Sequence, residues 1–150
     1  MGHEDQALAQ REYQRACGSL EQGDVLRALG WLESALRRHD NPHWHSMLGY
    51  CIAKERGHVG RGMDLCRAAL ELYPEQPEHY YFMARVLVLS GKKAEAVEVL
   101  RMGLNYGDSQ PIKRYLQELG VRKPPCIGWL PRDNPFNKIL GMLLARLGLR

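Results

Sequence analysis

The sequence predicts an all-α fold built from three similar helical hairpins. Three glycines, Gly23, Gly57 and Gly91, are spaced 34 residues apart. Five positions after each glycine there is a small residue: Ala28, Gly62 and Ala96. Nine positions after it there is an apolar residue: Leu32, Cys66 and Leu100. Twelve positions after it there is again a small residue: Ala35, Ala69 and Gly103. Apolar residues also recur at the spacing of a helix that buries one face. A period of this length indicates a repeated helix–turn–helix unit.

The elements follow from this pattern in chain order. We expect six paired helices at about 5–22, 25–38, 43–56, 60–73, 77–90 and 93–106. The three spaced glycines occupy the turns within the hairpins, where a positive φ carries no steric cost for glycine. Prolines fall between the hairpins and interrupt the helices there. A shorter helix at about 110–119 is expected to close the array with a polar outer face, because the last unit of a stack has no neighbour.

The C-terminal segment differs from the rest in charge and composition. Residues 120–150 carry a net charge of +5, whereas residues 1–119 carry −1. We therefore divide the chain into a repeat domain at 1–120 and a tail at 121–150. The tail should comprise an extended, proline-rich linker and a basic amphipathic helix that begins at Asn134 and Pro135. We expect this helix to dock on the last hairpin and the 110–119 helix, with a partner protein, a second copy or an anionic membrane as alternatives.

The sequence contains no pattern that is typical of catalysis or metal binding. Its four cysteines are far apart and form no CxxC pair, and without a secretion signal a reducing cytoplasm is the expected location. His39, His43 and His45 are close in sequence, but we expect surface and turn positions for them. There is no phosphate-binding glycine loop, paired-carboxylate motif or HExxH. We therefore expect neither enzymatic activity nor a cofactor nor a metal.

The repeated units resemble the tetratricopeptide repeat (TPR) family over about residues 9–108. The segment from Gly57 to Pro74 is closest to the family pattern. The third unit also carries family residues at Tyr80, Ala84, Leu87, Gly91, Ala96 and Leu100. The resemblance implies a right-handed α-solenoid of three TPR-like helix hairpins, extended by the capping helix and the C-terminal amphipathic helix.

The resemblance also implies a binding surface. In this family the first helices of the hairpins line a concave groove, which here would contain Tyr13, Cys17, Leu20, Ser46, Tyr50, Lys54, Tyr81, Arg85 and Val88. Tyrosines provide rigid contact area with a polar tip, and Lys54 and Arg85 provide charge, so the groove suits a peptide. The alternative for each residue is that it packs against the neighbouring helix.

One group of TPR proteins clamps the C-terminal carboxylate of chaperones with lysine, asparagine and arginine residues. The matching positions of this chain hold Tyr13, Cys17, Leu48, Glu78 and Phe82. None of the clamp residues is present, so we do not expect this chain to bind chaperone C-termini by that route.

The sequence thus predicts a non-catalytic adaptor or scaffold that binds a peptide or helix of another protein in its groove. A peripheral membrane or assembly subunit that acts through its basic C-terminal helix is the alternative, and that helix could also form a homodimer. We do not expect nucleic-acid binding, because the body is nearly neutral and its basic residues are not interleaved with aromatic ones along one face.

Overall fold

A computed structural model describes residues 2–120 of the chain, which contain seven α-helices and no strand. The helices are α1 (Gly2–Glu21), α2 (Val25–Arg38), α3 (His45–Arg56), α4 (Val59–Leu72), α5 (Pro77–Leu89), α6 (Lys93–Leu104) and α7 (Gln110–Glu118). A 3-10 turn at Pro42–Trp44 precedes α3. The all-α prediction is confirmed, and each helix begins and ends within three residues of the predicted position.

The predictions for the tail lie outside the described residues. They comprise the proline-rich linker, the C-terminal amphipathic helix with its docking, and the domain assigned to 121–150. The first of the two units into which the chain divides ends at Leu119.

The glycines that carry the 34-residue spacing follow the ends of α1, α3 and α5. Gly23, Gly57 and Gly91 have φ angles of 79°, 70° and 77°, respectively. These values lie in the left-handed region, which glycine enters without the strain that a Cβ would cause. The expected positive φ at these three turns is confirmed, and each first helix is connected to its second helix by a tight turn.

Consecutive helices pack in pairs: α1 on α2, α3 on α4, and α5 on α6. Neighbouring pairs also contact each other, since α3 packs on α2 and α5 packs on both α3 and α4. The short helix α7 contacts α6 and α5. No helix within residues 2–120 combines the length and apolar character needed to cross a membrane.

The residues at the three repeated positions after each glycine are all buried. Among them, Leu32, Cys66 and Leu100 are fully buried, with 0% of their surface exposed. The backbones of α3 and α4 approach closely where a Cβ added to Gly49 would lie 2.5 Å from the carbonyl oxygen of Gly62. These two glycines therefore let α3 and α4 come into backbone contact.

Helix α7 packs on α6 and α5 and adds to this core. Ile112 is fully buried, and a Cβ added to Gly103 of α6 would lie 2.8 Å from its Cδ1. The polar residues of the helix face outward, as expected: Lys113, Arg114, Gln117 and Glu118 are exposed. Ser109 caps the helix, because its hydroxyl oxygen accepts a hydrogen bond of 3.4 Å from the amide of Ile112.

Candidate functional site

Arg85 on α5 lies among three tyrosines that come from three different helices. Its Nη2 donates a hydrogen bond of 2.7 Å to the hydroxyl of Tyr50 on α3, and its Nη1 donates one of 3.2 Å to the hydroxyl of Tyr81. The guanidinium carbon lies 3.9 Å from the centre of the Tyr50 ring, 5.5 Å from that of Tyr81 and 5.8 Å from that of Tyr115 on α7. All three distances are within the range of cation–π attraction. We call these four residues the arginine–tyrosine cluster.

Local sequence and helix packing together produce this cluster. Tyr81 and Arg85 are four residues apart on α5, so they lie on the same face of the helix. Tyr50 and Tyr115 reach the same guanidinium because both α3 and α7 pack on α5. Burial raises the pKa of Tyr50 and Tyr115, although the positive charge of Arg85 opposes the rise. Both phenols therefore keep their protons at neutral pH.

The cluster contains three residues that the sequence predicted for the binding groove: Tyr50, Tyr81 and Arg85. Its fourth member, Tyr115, was not among the predicted groove residues. Tyr50 is buried, with 4% of its surface exposed, because the Arg85 guanidinium covers its ring. Tyr81 and Arg85 are half-buried. Lys54 is exposed and follows Tyr50 by one helical turn on α3, while Val88 is half-buried and follows Arg85 on α5.

The predicted residues of α1 lie in a second group. The Tyr13 ring stacks on the buried Trp44, with ring centres 4.6 Å apart, and its hydroxyl donates a hydrogen bond of 3.3 Å to Glu78 on α5. Burial and the nearby Glu78 carboxylate raise the pKa of Tyr13. Cys17 and Leu20 are half-buried and pack against the core. Tyr13 thus connects the first helices of the first and third pairs.

Ser46 does not occupy the position that the sequence predicted. It was expected to line the groove, but 0% of its surface is exposed and its hydroxyl lies 2.7 Å from Nδ1 of His79. His79 is also buried, with only 1% of its surface exposed. A substrate cannot reach this serine–histidine pair from solvent, so its geometry indicates a packing contact rather than a nucleophile and its base.

The buried thiols are also unsuited to nucleophilic chemistry. Burial raises the pKa of Cys51 and that of Cys66 to about 12, so both remain protonated at neutral pH. Within residues 2–120, no group of three or more histidine, cysteine and acidic side chains is placed to hold a metal ion.

Comparison with known proteins finds no family model and no curated protein that matches this chain. The candidate site therefore rests on the chemistry of its own residues.

Proposed function

We propose that this protein is a non-catalytic protein-binding module, built as a right-handed TPR-like solenoid of three hairpins with α7 as its cap. The 34-residue spacing of the turn glycines, their left-handed φ angles and the pairwise packing of consecutive helices support this proposal. In such a solenoid the first helices α1, α3 and α5 face the partner, and the second helices α2, α4 and α6 form the outer layer.

The arginine–tyrosine cluster carries the functional part of the proposal. Tyrosine and arginine are the residues that most often dominate binding energy at protein interfaces, because they bury a large area and retain polar groups. Here Arg85 is held in place by two hydrogen bonds and by the ring of Tyr50, so little side-chain entropy is lost when a partner binds. The cluster is therefore a preorganised centre for an interface.

The hydrogen bond between Tyr13 and Glu78 supports a binding face that extends beyond the cluster. Glu78 and Arg85 are both on α5, seven residues or two helical turns apart, so they lie on the same side of the helix at a separation of roughly 10 Å. One end of the face is thus aromatic and acidic, and the other is aromatic and basic. A peptide that follows α5 would contact both ends.

The test is affinity capture from the native cell with quantitative mass spectrometry. The full chain is compared with Tyr81→Ala and Arg85→Glu, and Arg101→Gln on α6 serves as the control. We expect both cluster variants to lose the same captured proteins and the control to retain them, while circular dichroism shows that all variants are folded. If the captured proteins are unchanged in both cluster variants, the binding face lies elsewhere.

A further inference from the structure

We propose that the arginine–tyrosine cluster is a receptor for a carboxylate, and that its occupant is an aspartate or glutamate side chain of a peptide segment in the partner protein. The inference rests on the proposed function and specifies the chemistry of the partner at one point of the binding face.

The hydrogen-bonding capacity of the cluster supports this assignment. An arginine side chain has five N–H donors, and Arg85 directs two of its N–H groups at tyrosine hydroxyls. Because the oxygens of Tyr50 and Tyr81 accept these bonds, their own protons remain available. Among residues 2–120, no hydrogen bond is donated by the hydroxyl of Tyr50, Tyr81 or Tyr115. The half-buried Arg85 and Tyr81 thus have N–H and O–H groups from which a carboxylate can accept hydrogen bonds.

The charge balance of the half-buried arginines points in the same direction. Arg85 and Arg101 are the two half-buried arginines of the described chain. Arg101 forms an ion pair of 3.1 Å with Glu98, whereas Arg85 has no carboxylate within ion-pair distance among residues 2–120. A partly desolvated charge is costly unless an opposite charge completes it. A carboxylate that pairs with Arg85 would therefore have to come from outside residues 2–120.

Nearby charges do not supply that partner. Glu55 acts electrostatically on Tyr50 and Glu118 on Tyr115, but neither of them forms an ion pair with Arg85 in the described residues. The exposed Lys54, one turn beyond Tyr50 on α3, adds a second positive charge to the same face of that helix. The planar guanidinium fits a carboxylate in a bidentate arrangement, and the tyrosine rings and Val88 offer apolar contact to the methylene groups of an acidic side chain.

The experiment is a selection of peptides from a phage-displayed library of random dodecapeptides against the full chain. Expected binders contain an aspartate or glutamate that cannot be replaced by its amide. For such a binder, Arg85→Gln should weaken binding about tenfold or more, and Arg101→Gln should leave it unchanged. Changing the acidic residue of the peptide to its amide should weaken binding to the wild type by a similar factor. The same peptide change should have little further effect on the affinity of Arg85→Gln, because both changes remove the same interaction between Arg85 and the carboxylate.

A second variant, Arg85→Lys, distinguishes the loss of specific contacts from misfolding. Arg85→Lys keeps the charge but not the planar fork, and it should bind the acidic peptide with intermediate affinity. Binders without acidic residues that require Tyr81 but tolerate Arg85→Gln would overturn the carboxylate receptor and leave the proposed function intact. Binders that tolerate every variant of the cluster would overturn both. Failure to select any peptide, together with self-association of the wild type that Arg85→Gln abolishes, would assign the face to a second copy instead.

Discussion

Lowering the pH from 7.5 to 5 should destabilise this protein through His79. The side chain is buried between α3 and α5, where Nδ1 contacts the hydroxyl of Ser46 and Nε2 has no hydrogen-bond partner within the described residues. Burial, with the help of the nearby His43, lowers the pKa of His79 to about 4, while the charge of Glu75 opposes the shift. A protonated imidazole in this position would have one N–H group that no acceptor satisfies.

The size of the effect follows from the two pKa values. In the unfolded chain His79 should titrate near its ordinary value of about 6.5, so the unfolded state binds a proton that the folded state rejects between about pH 6.5 and 4. The contribution to stability is fully present above pH 6.5 and is lost as the pH falls through this window. Between pH 7.5 and 5 the free energy of unfolding should decrease by about 2 kcal/mol from this residue.

The assay is urea denaturation at both pH values for the wild type, His79→Gln and the control His58→Gln. His58 is exposed at the start of α4, so its replacement removes a histidine without disturbing the buried core. In His79→Gln the decrease between pH 7.5 and 5 should be smaller by about 2 kcal/mol, whatever the stability of that variant at pH 7.5. An equal decrease in the wild type and in His79→Gln would refute the argument.

Three further predictions concern stability, and urea denaturation tests each of them. Leu100→Ala should reduce the free energy of unfolding by about 2–5 kcal/mol, because a fully buried side chain leaves a cavity; a loss below about half a kcal/mol would contradict its place in the core. Gly62→Ala should cost about 1–3 kcal/mol, since its Cβ would lie 2.9 Å from the Ala53 Cβ and also press on the Gly49 backbone. Gly30→Ala is the matched control, because its Cβ enters open space on α2. It should increase the free energy of unfolding by about 0.5–1 kcal/mol. A decrease in Gly30→Ala would refute the steric explanation for Gly62→Ala. Asp24→Ala should cost about 0.5–2 kcal/mol, because its carboxylate accepts a hydrogen bond of 3.0 Å from the Arg27 amide at the start of α2; an unchanged stability would show that this cap contributes nothing.

The helices and their turns could be predicted from the sequence because the signals for them are local. A glycine marks each turn within a hairpin, and the residues five, nine and twelve positions later identify the buried face of the second helix. These signals depend only on helical periodicity and on the conformational freedom of glycine. The close contact between Gly49 and Gly62, by contrast, depends on how α3 crosses α4, which the 34-residue spacing does not give.

The positions of Ser46 and His79 could not be predicted in the same way. Ser46 and Tyr50 are four residues apart on α3 and therefore lie on the same face of that helix. Periodicity gives that face but not which part of it α5 covers. In the structure, Ser46 is covered by His79, whereas Tyr50 is covered by the side chain of Arg85. For this reason Tyr50→Ala is a poor test of binding, because it would disturb the core, and Tyr81 is the better choice.

The arginine–tyrosine cluster also depends on a helix that lies outside the three helix pairs. The sequence predicted a closing helix with a polar outer face at the position of α7, and the polar residues of α7 are exposed. The same helix directs Ile112 into the core and places Tyr115 within 5.8 Å of the Arg85 guanidinium. Because α7 has no counterpart in the preceding hairpins, a pattern with a period of 34 residues carries no information about Tyr115. Helix α7 therefore contributes both to the core next to α5 and α6 and to the electrostatic environment of Arg85, so a change in its packing should affect both folding and the proposed binding site.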